Sequence, residues 1–562
     1  MILRRLYLYL VSAAALAALA FGLSALGSTI LLFYFNDPSA EFNRPALAIW
    51  SATTLVALPV WGVHFLFARR FAHRDPEERA SALRRLYLYW ACMVMSIGAA
   101  FALNVAMSGL LRPLVDCNTA PYVQRVTCPD YSGFVATAQA GWVALVLVAF
   151  WALHYRIARR DRAVVGEQGR SASLRRWYMY TALLVGFLMM LIGASGVLEL
   201  SWLRIVNSPL GVNQFRFIGD SAGLALAGLA LWGVHARILA RRHIEDDRKS
   251  TLRAVEGFIA LAVCIVVALI GASQILYYAL ARALGVVNPG NLTGEILALL
   301  AQPASLLLVY GVAWFLIRRR LSRDTGSHEV DRQAGVRRLY TNLAALVSMA
   351  VLATGAAGVL WALAEQVEAP VIGVSAGDWK DPISRWVTLL IVGAAVWVAH
   401  WRHAPWPGDR QSLSRRLYVW ATLLGSVLAA LGAGIALVYV VLQQFFSANP
   451  RLNTVDNLDF GHYLAVLVVA LVVGFYHWRV LRADAASRPA RHETAPPRVA
   501  LAAVAPAITA STVDAAPAPV AAPAGMRFIL SVLDATEDDV HQVLANLPPA
   551  ASYLLTPLEP ES

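Results

Sequence analysis

Charge is scarce in this chain. Asp, Glu, Lys and Arg make up 15% of its 562 residues, where a soluble globular protein carries about a quarter. With 58% hydrophobic residues, that shortfall argues against a water-soluble domain. Cysteine is scarce too: four residues are too few for a disulfide framework or a zinc cluster. Cys92 and Cys264 lie inside apolar runs and read as small core residues. Cys117 and Cys128 share one polar loop and are a candidate disulfide if that loop faces an oxidising compartment. Signatures of chemistry are missing. The chain holds no Walker loop, HExxH, GxSxG or paired CxxC. The matched proline and glycine interruptions of broken transporter helices are missing as well.

What the chain has is long apolar runs, such as residues 10–35 and 258–280. About 20 apolar residues at 1.5 Å each cross a bilayer core, and a helix satisfies its own backbone there. The first run is too long for a signal peptide and aligns with later helices that cannot be cleaved signals. The formal net charge is +12, carried almost wholly by arginine. The arginines cluster at helix ends, which favours headgroup anchoring over nucleic-acid binding.

A four-residue signature opens most of six two-helix units. It reads Arg-Arg-Leu-Tyr at 4–7, 84–87, 337–340 and 415–418, becomes Arg175-Arg176-Trp177-Tyr178, and decays to Arg253-Ala254-Val255-Glu256. The units span 1–83, 84–174, 175–252, 253–336 (the degenerate one), 337–414 and 415–484. First helices are expected near 6–35, 86–111, 177–204, 254–284, 339–365 and 417–446, and second helices near 46–68, 134–158, 218–240, 294–317, 383–401 and 461–480. The predicted fold class is therefore all-α: a polytopic membrane protein of about twelve spans with a short cytoplasmic C-terminal tail. Arginine-rich returns between units, set against arginine-poor loops within them, place both termini in the cytosol and the Cys117/Cys128 loop outside. An Ala/Pro-rich linker covers 485–525. The segment 526–562 is too short to fold alone and is expected to dock on a cytosolic partner or on its own copy, if anywhere.

Two repeated features carry the candidate sites. Eighteen positions after each leading arginine stands a small residue: Gly22, Ala102, Gly193, Gly271, Gly355 and Ala433. This reads as a helix-packing seam, with a glycine-lined path as the alternative. The second feature is a histidine near the inner end of the second helix: His64, His154, His235, His400 and His477. Tryptophan precedes it by three at Trp61, Trp151, Trp232 and Trp397, on the same helix face. The plain reading is an interfacial anchor satisfied by water and headgroups, with haem ligation or proton handling as alternatives. The fourth unit loses both Tyr and His, having Glu256 and Ile317 instead. The paired loss predicts a hydrogen-bonded layer of Tyr7, Tyr87, Tyr178, Tyr340 and Tyr418 with those histidines, clamping each hairpin. Of the acids near the spans, Glu199, Asp220, Glu256 and Glu365, most are expected at solvated helix ends.

The Arg-Arg-Leu-Tyr hairpin ending in Trp-x-x-His and arginines resembles the bacterial membrane family catalogued as domain of unknown function 5671, over roughly residues 1–482. The resemblance implies an integral helical membrane protein in tandem copies, and no activity, cofactor or site residue. The function expected is a non-enzymatic membrane scaffold or assembly component in the inner membrane. Its partners are the lipid bilayer and a cytosolic protein held by the tail, without nucleic acid or cofactor. A small-molecule or ion transporter and a haem-binding redox subunit are the alternatives.

Overall fold

The computed structural model describes residues 2–112, 132–167, 169–208, 215–248, 250–291, 295–325, 331–371, 377–401, 412–446 and 454–486. Cys117 and Cys128, the linker beyond residue 486 and the segment 526–562 lie outside the described residues.

Among them the chain is helical, and twelve helices are long and apolar enough to cross a membrane. They are α1 (Ile2–Tyr34), α2 (Arg44–Arg74), α3 (Ala82–Leu111), α4 (Ser132–Val165), α5 (Gly169–Ile205), α6 (Ile218–Arg242), α7 (Thr251–Ala283), α8 (Ala301–Thr325), α9 (Asp331–Val371), α10 (Lys380–Trp401), α11 (Leu413–Phe446) and α12 (Thr454–Ala486). Several run well past the expected bounds. The arginine-rich returns are largely helical: α4 continues to Val165 and α5 already begins at Gly169. A helix of 33 residues such as α1 is about 50 Å long, against a hydrocarbon core of about 30 Å. The surplus length is enough for polar side chains near a helix end to lie outside the hydrocarbon core.

Local chemistry sets the helix starts. Ser81 accepts a hydrogen bond from the Arg84 amide and caps α3, and Ser412 does the same for the Arg415 amide at α11. Gly166 ends α4 at a φ of +70°, a left-handed conformation that glycine adopts without strain.

Each odd-numbered helix packs on the even helix that follows it and again on the even helix of the next pair: α1 on α2 and α4, α3 on α4 and α6, α5 on α6 and α8, α7 on α8 and α10, α9 on α10 and α12. Consecutive odd helices also touch. The largest buried cluster lies among α1–α6, with separate clusters in α5/α7/α8 and α9–α12. The third residue of the opening signature points outward at Leu6, Leu86, Trp177, Leu339 and Leu417, a face suited to lipid.

The small-residue seam lies on the hairpin interface. A Cβ on Gly193 would sit 2.3 Å from the Ala225 amide nitrogen, one on Gly271 2.5 Å from the Pro303 carbonyl, and one on Gly355 2.4 Å from the Leu390 amide nitrogen. These helices meet backbone to backbone.

Candidate functional site: a polar layer at one end of the helices

Four of the five Tyr/His pairs meet as hydrogen bonds between the two helices of a hairpin. Tyr7 Oη lies 3.2 Å from His64 Nε2, Tyr87 3.0 Å from His154, Tyr178 2.7 Å from His235, and Tyr418 2.8 Å from His477. Tyr340 and His400 are in edge-to-face ring contact, centroids 5.8 Å apart, with no hydrogen bond between them among the described residues.

The direction of each bond follows from the other ring nitrogen. Nδ1 of every one of these histidines lies 2.7–2.9 Å from the carbonyl four residues earlier: Val60, Phe150, Leu231, Val396 and Val473. A carbonyl only accepts, so Nδ1 carries the proton. In the neutral ring Nε2 then accepts, and the tyrosine hydroxyl donates.

The tyrosine oxygen accepts in turn, and its donor comes from the neighbouring hairpin. Trp61 Nε1 donates to Tyr87 at 3.2 Å, Trp151 to Tyr178 at 2.8 Å, and Trp397 to Tyr418 at 2.9 Å. The chain of donation runs from the indole of one hairpin, through the tyrosine of the next, to its histidine and then to backbone. Sequence reading assigned Trp and His to an interfacial belt satisfied by water. The structure corrects this: His154, His235 and His477 are buried and bonded within the protein, and these indoles join hairpins. In the sixth unit Gly474 stands at the tryptophan position.

A second layer lies one turn outward, and sequence reading missed it. Arg84 Nε donates to Asp161 at 2.7 Å, and Arg253 and Arg415 each grip one carboxylate with two nitrogens, on Asp324 and Asp484. Asp161, Asp324 and Asp484 each stand seven residues after the histidine position (Ile317 in the fourth unit). Aligning the units on that position would have exposed the signal. The remaining acids come from the connections. Glu78 accepts from Arg5 at 2.8 Å and from Tyr9 at 3.2 Å, and Glu167 accepts from Arg175 at 2.8 Å and from Tyr89.

Asp247 is the most heavily bonded acceptor. It takes Arg175 Nη1 and Nη2 at 3.1 and 3.0 Å, Arg176 Nε at 2.7 Å and Tyr180 Oη at 3.3 Å. Burial pushes its carboxyl up, but the hydrogen bonds from Arg175 and Arg176 outweigh that and hold it below the usual carboxylate range. Beside it, burial, reinforced by Arg175 and Arg162, pushes His243 down to about 3.

Four of the signature arginines are thus not headgroup anchors, while Arg4 and Arg416 remain exposed. Arg84, Arg85, Arg175 and Arg253 are buried, whereas Arg159, Arg160, Arg241 and Arg242 near the ends of the second helices are exposed and suit that role. Glu256 is also corrected: it is buried and ion-paired with Arg320, so the fourth unit replaces Tyr/His by Glu/Arg. Asp220 pairs with Arg112 at 2.7 Å. Glu199 lies half-buried in α5, and Glu365 in α9 away from the layer. Cys92 and Cys264 are buried free thiols, and no cluster of three or more His, Cys, Asp or Glu suited to a metal occurs among the described residues.

The Tyr–His bond has a measurable coupling. Single and double variants Tyr87→Phe and His154→Leu are expected to show an interaction energy of about 1 kcal/mol in a thermal-stability cycle. Strictly additive effects would mean that the two side chains do not act as one clamp.

Fold and polar layer together define a multi-pass helical membrane protein whose ionisable groups at one end bond largely to one another. A sequence-family model for a domain of unknown function, DUF5671, matches the chain in two copies, over residues 5–128 and 338–462. No curated protein and no solved structure matches the chain.

Proposed function

We propose that this chain is a non-enzymatic membrane scaffold, built by sixfold duplication of one helical hairpin in a bacterial inner membrane, with both termini in the cytosol. The observation that carries this reading is how much of the polar layer bonds to itself, although Arg5 Nη2, Arg85 Nε and Arg320 Nε are buried without a hydrogen-bond partner. Both ring nitrogens of His154, His235 and His477 are engaged, and Arg84, Arg175, Arg253 and Arg415 are held by carboxylates. A layer bonded in this way braces hairpins against one another. It leaves little to cycle a proton or bind an ion, which weakens the transport reading, and the engaged imidazoles weaken the haem reading. The Ala/Pro-rich linker and the closing segment then serve as a tether for a cytosolic partner protein.

The test is a truncation after Ala490. Blue native electrophoresis of the full chain from its own membrane is expected to show an assembly larger than the protein itself. The truncated chain is expected to insert its spans and migrate alone. Identical migration of the two forms would remove the assembly role. Impermeant labelling of single cysteines placed at 116–130 and after 526 is expected to find them on opposite sides, and finding both on one side would overturn the orientation.

A further inference from the structure

The same cleft occurs twice in the bundle. Between α1, α3 and α4 lies a cavity of about 440 Å³, and between α9, α11 and α12, closed on one side by Trp386 of α10, one of about 410 Å³. Their linings correspond position by position. Ala13, Leu16 and Ala20 of α1 match Leu346, Met349 and Ala353 of α9, at a constant offset set by the leading arginines Arg4 and Arg337.

The volumes are alike and the chemistry is not. In the first cleft Phe21, Trp90, Met95 and Leu147 present apolar bulk; in the second, Thr354, Ala421, Ser426 and Ala470 stand at the same positions. In the first cleft Gln139 donates to the Ser28 carbonyl at 2.8 Å and Trp142 to the Leu23 carbonyl at 3.0 Å, while the buried Ser24 hydroxyl in the lining has no hydrogen-bond partner. The second cleft has His462 at the position of Gln139. Its Nδ1 is inaccessible to water and has no hydrogen-bond partner. A buried nitrogen left unbonded is costly, and a ligand oxygen bonded to the His462 ring removes that cost. His462 meets the Trp361 ring edge to face at 4.6 Å between centroids, and Trp386 lies 6.3 Å from Trp361.

Access is sideways from the bilayer, because Ala421 and Gly425 on α11 are exposed and nothing lies within 4 Å of a Cβ on Gly425. The cleft is long: Met349 and Trp361 both line it, twelve residues or about 18 Å apart along α9. An occupant therefore arrives dissolved in lipid, with an apolar tail for the Ala/Val-lined groove. Its head is flat, to lie against two indoles, and carries an oxygen that bonds an imidazole. We infer that the cleft between α9, α11 and α12 binds a lipid-soluble, quinone-type molecule, its ring at Trp361 and Trp386 and a ring oxygen on His462. This goes beyond the scaffold reading and does not depend on it. No redox step is implied; the site holds the molecule.

The test uses the full chain in nanodiscs with decylubiquinone as probe, read as quenching of tryptophan fluorescence against empty nanodiscs. Saturable quenching is expected. Gly425→Val with Ser426→Met rebuilds in the second cleft the residues of the first, Val94 and Met95, and is expected to weaken binding at least tenfold without moving the melting midpoint. If that variant fails to fold, His462→Gln, which installs the residue of the first cleft, is expected to weaken binding by a similar factor. Quenching that rises linearly without saturation, or equal binding by wild type and variants, would overturn the proposal. So would competition by decanol as strong as by the quinone, because the ring would then contribute nothing.

Discussion

Asp247→Ala is expected to destabilise the protein by about 3–5 kcal/mol, seen as a drop of several degrees in the melting midpoint of the detergent-solubilised chain. Asp247 is fully buried and answers two guanidinium groups and a phenol. Removing it strands Arg175, itself 5% exposed, with Glu167 as its remaining carboxylate. The same substitution elsewhere in the layer is expected to cost less, in an order set by solvent. The carboxylate side chains are 10% exposed at Asp161, 15% at Asp324 and 20% at Asp484. Water reaching a stranded arginine restores part of what the carboxylate supplied. Acid acts on the same place with a definite sign. His243 titrates near 6.5 in an unfolded chain and near 3 in the fold. Between those values the unfolded chain binds a proton that the folded chain refuses, so stability falls as pH drops from about 6.5 toward 3. Protonation of Asp247, whose folded value lies below 3.8, extends the loss further into acid, and neither group adds a slope above pH 7. A midpoint for Asp247→Ala within one degree of wild type would show that this carboxylate does not hold the layer.

The parts of this architecture written in short-range pattern were legible in the sequence. Twelve apolar stretches read as spans because length and hydropathy are local properties. The eighteen-residue offset from arginine to glycine located Gly193, Gly271 and Gly355 at the helix interfaces. The joint loss of Tyr and His in the fourth unit pointed to a contact, and four of the other units hold a Tyr–His hydrogen bond. The arginines were misread for a physical reason. Charge placed near a helix end says which side of the membrane the end occupies, but a long side chain can turn toward headgroups or into the bundle with the same sequence position. What decides between them is a carboxylate about 70 residues away, as with Arg84 and Asp161 or Arg253 and Asp324. The link from Trp151 to Tyr178 was hidden for a related reason: the indole serves the next hairpin and not its own. A pattern searched within one unit cannot contain that bond.

Gly193→Leu is expected to abolish accumulation of folded protein, and even Gly193→Ala is expected to cost about 1–3 kcal/mol. In lipid no hydrophobic force draws two helices together, because the alternative solvent is equally apolar, so close backbone packing has to supply the association. At Gly193 a single methyl carbon would lie 2.3 Å from the Ala225 nitrogen and 2.5 Å from the Ser221 carbonyl. Both are backbone atoms and cannot rotate aside, so α5 and α6 must separate along their length. That separation would also pull on the Tyr178–His235 bond, which joins the same two helices. Gly22 is the informative contrast. A methyl there meets the Thr53 side chain at 3.0 Å, and a rotamer change can relieve it. Gly432 goes further: a methyl there meets nothing within 4 Å, so Gly432→Ala is expected to stabilise by about 0.5–1 kcal/mol through helix propensity alone. One substitution type should therefore change sign along the chain, from strongly unfavourable at Gly193, through mild at Gly22, to favourable at Gly432. Melting curves for the three alanine variants test this directly. If all three shifted alike, helix propensity alone would explain them, and the backbone contact between α5 and α6 would not be what holds the hairpin closed.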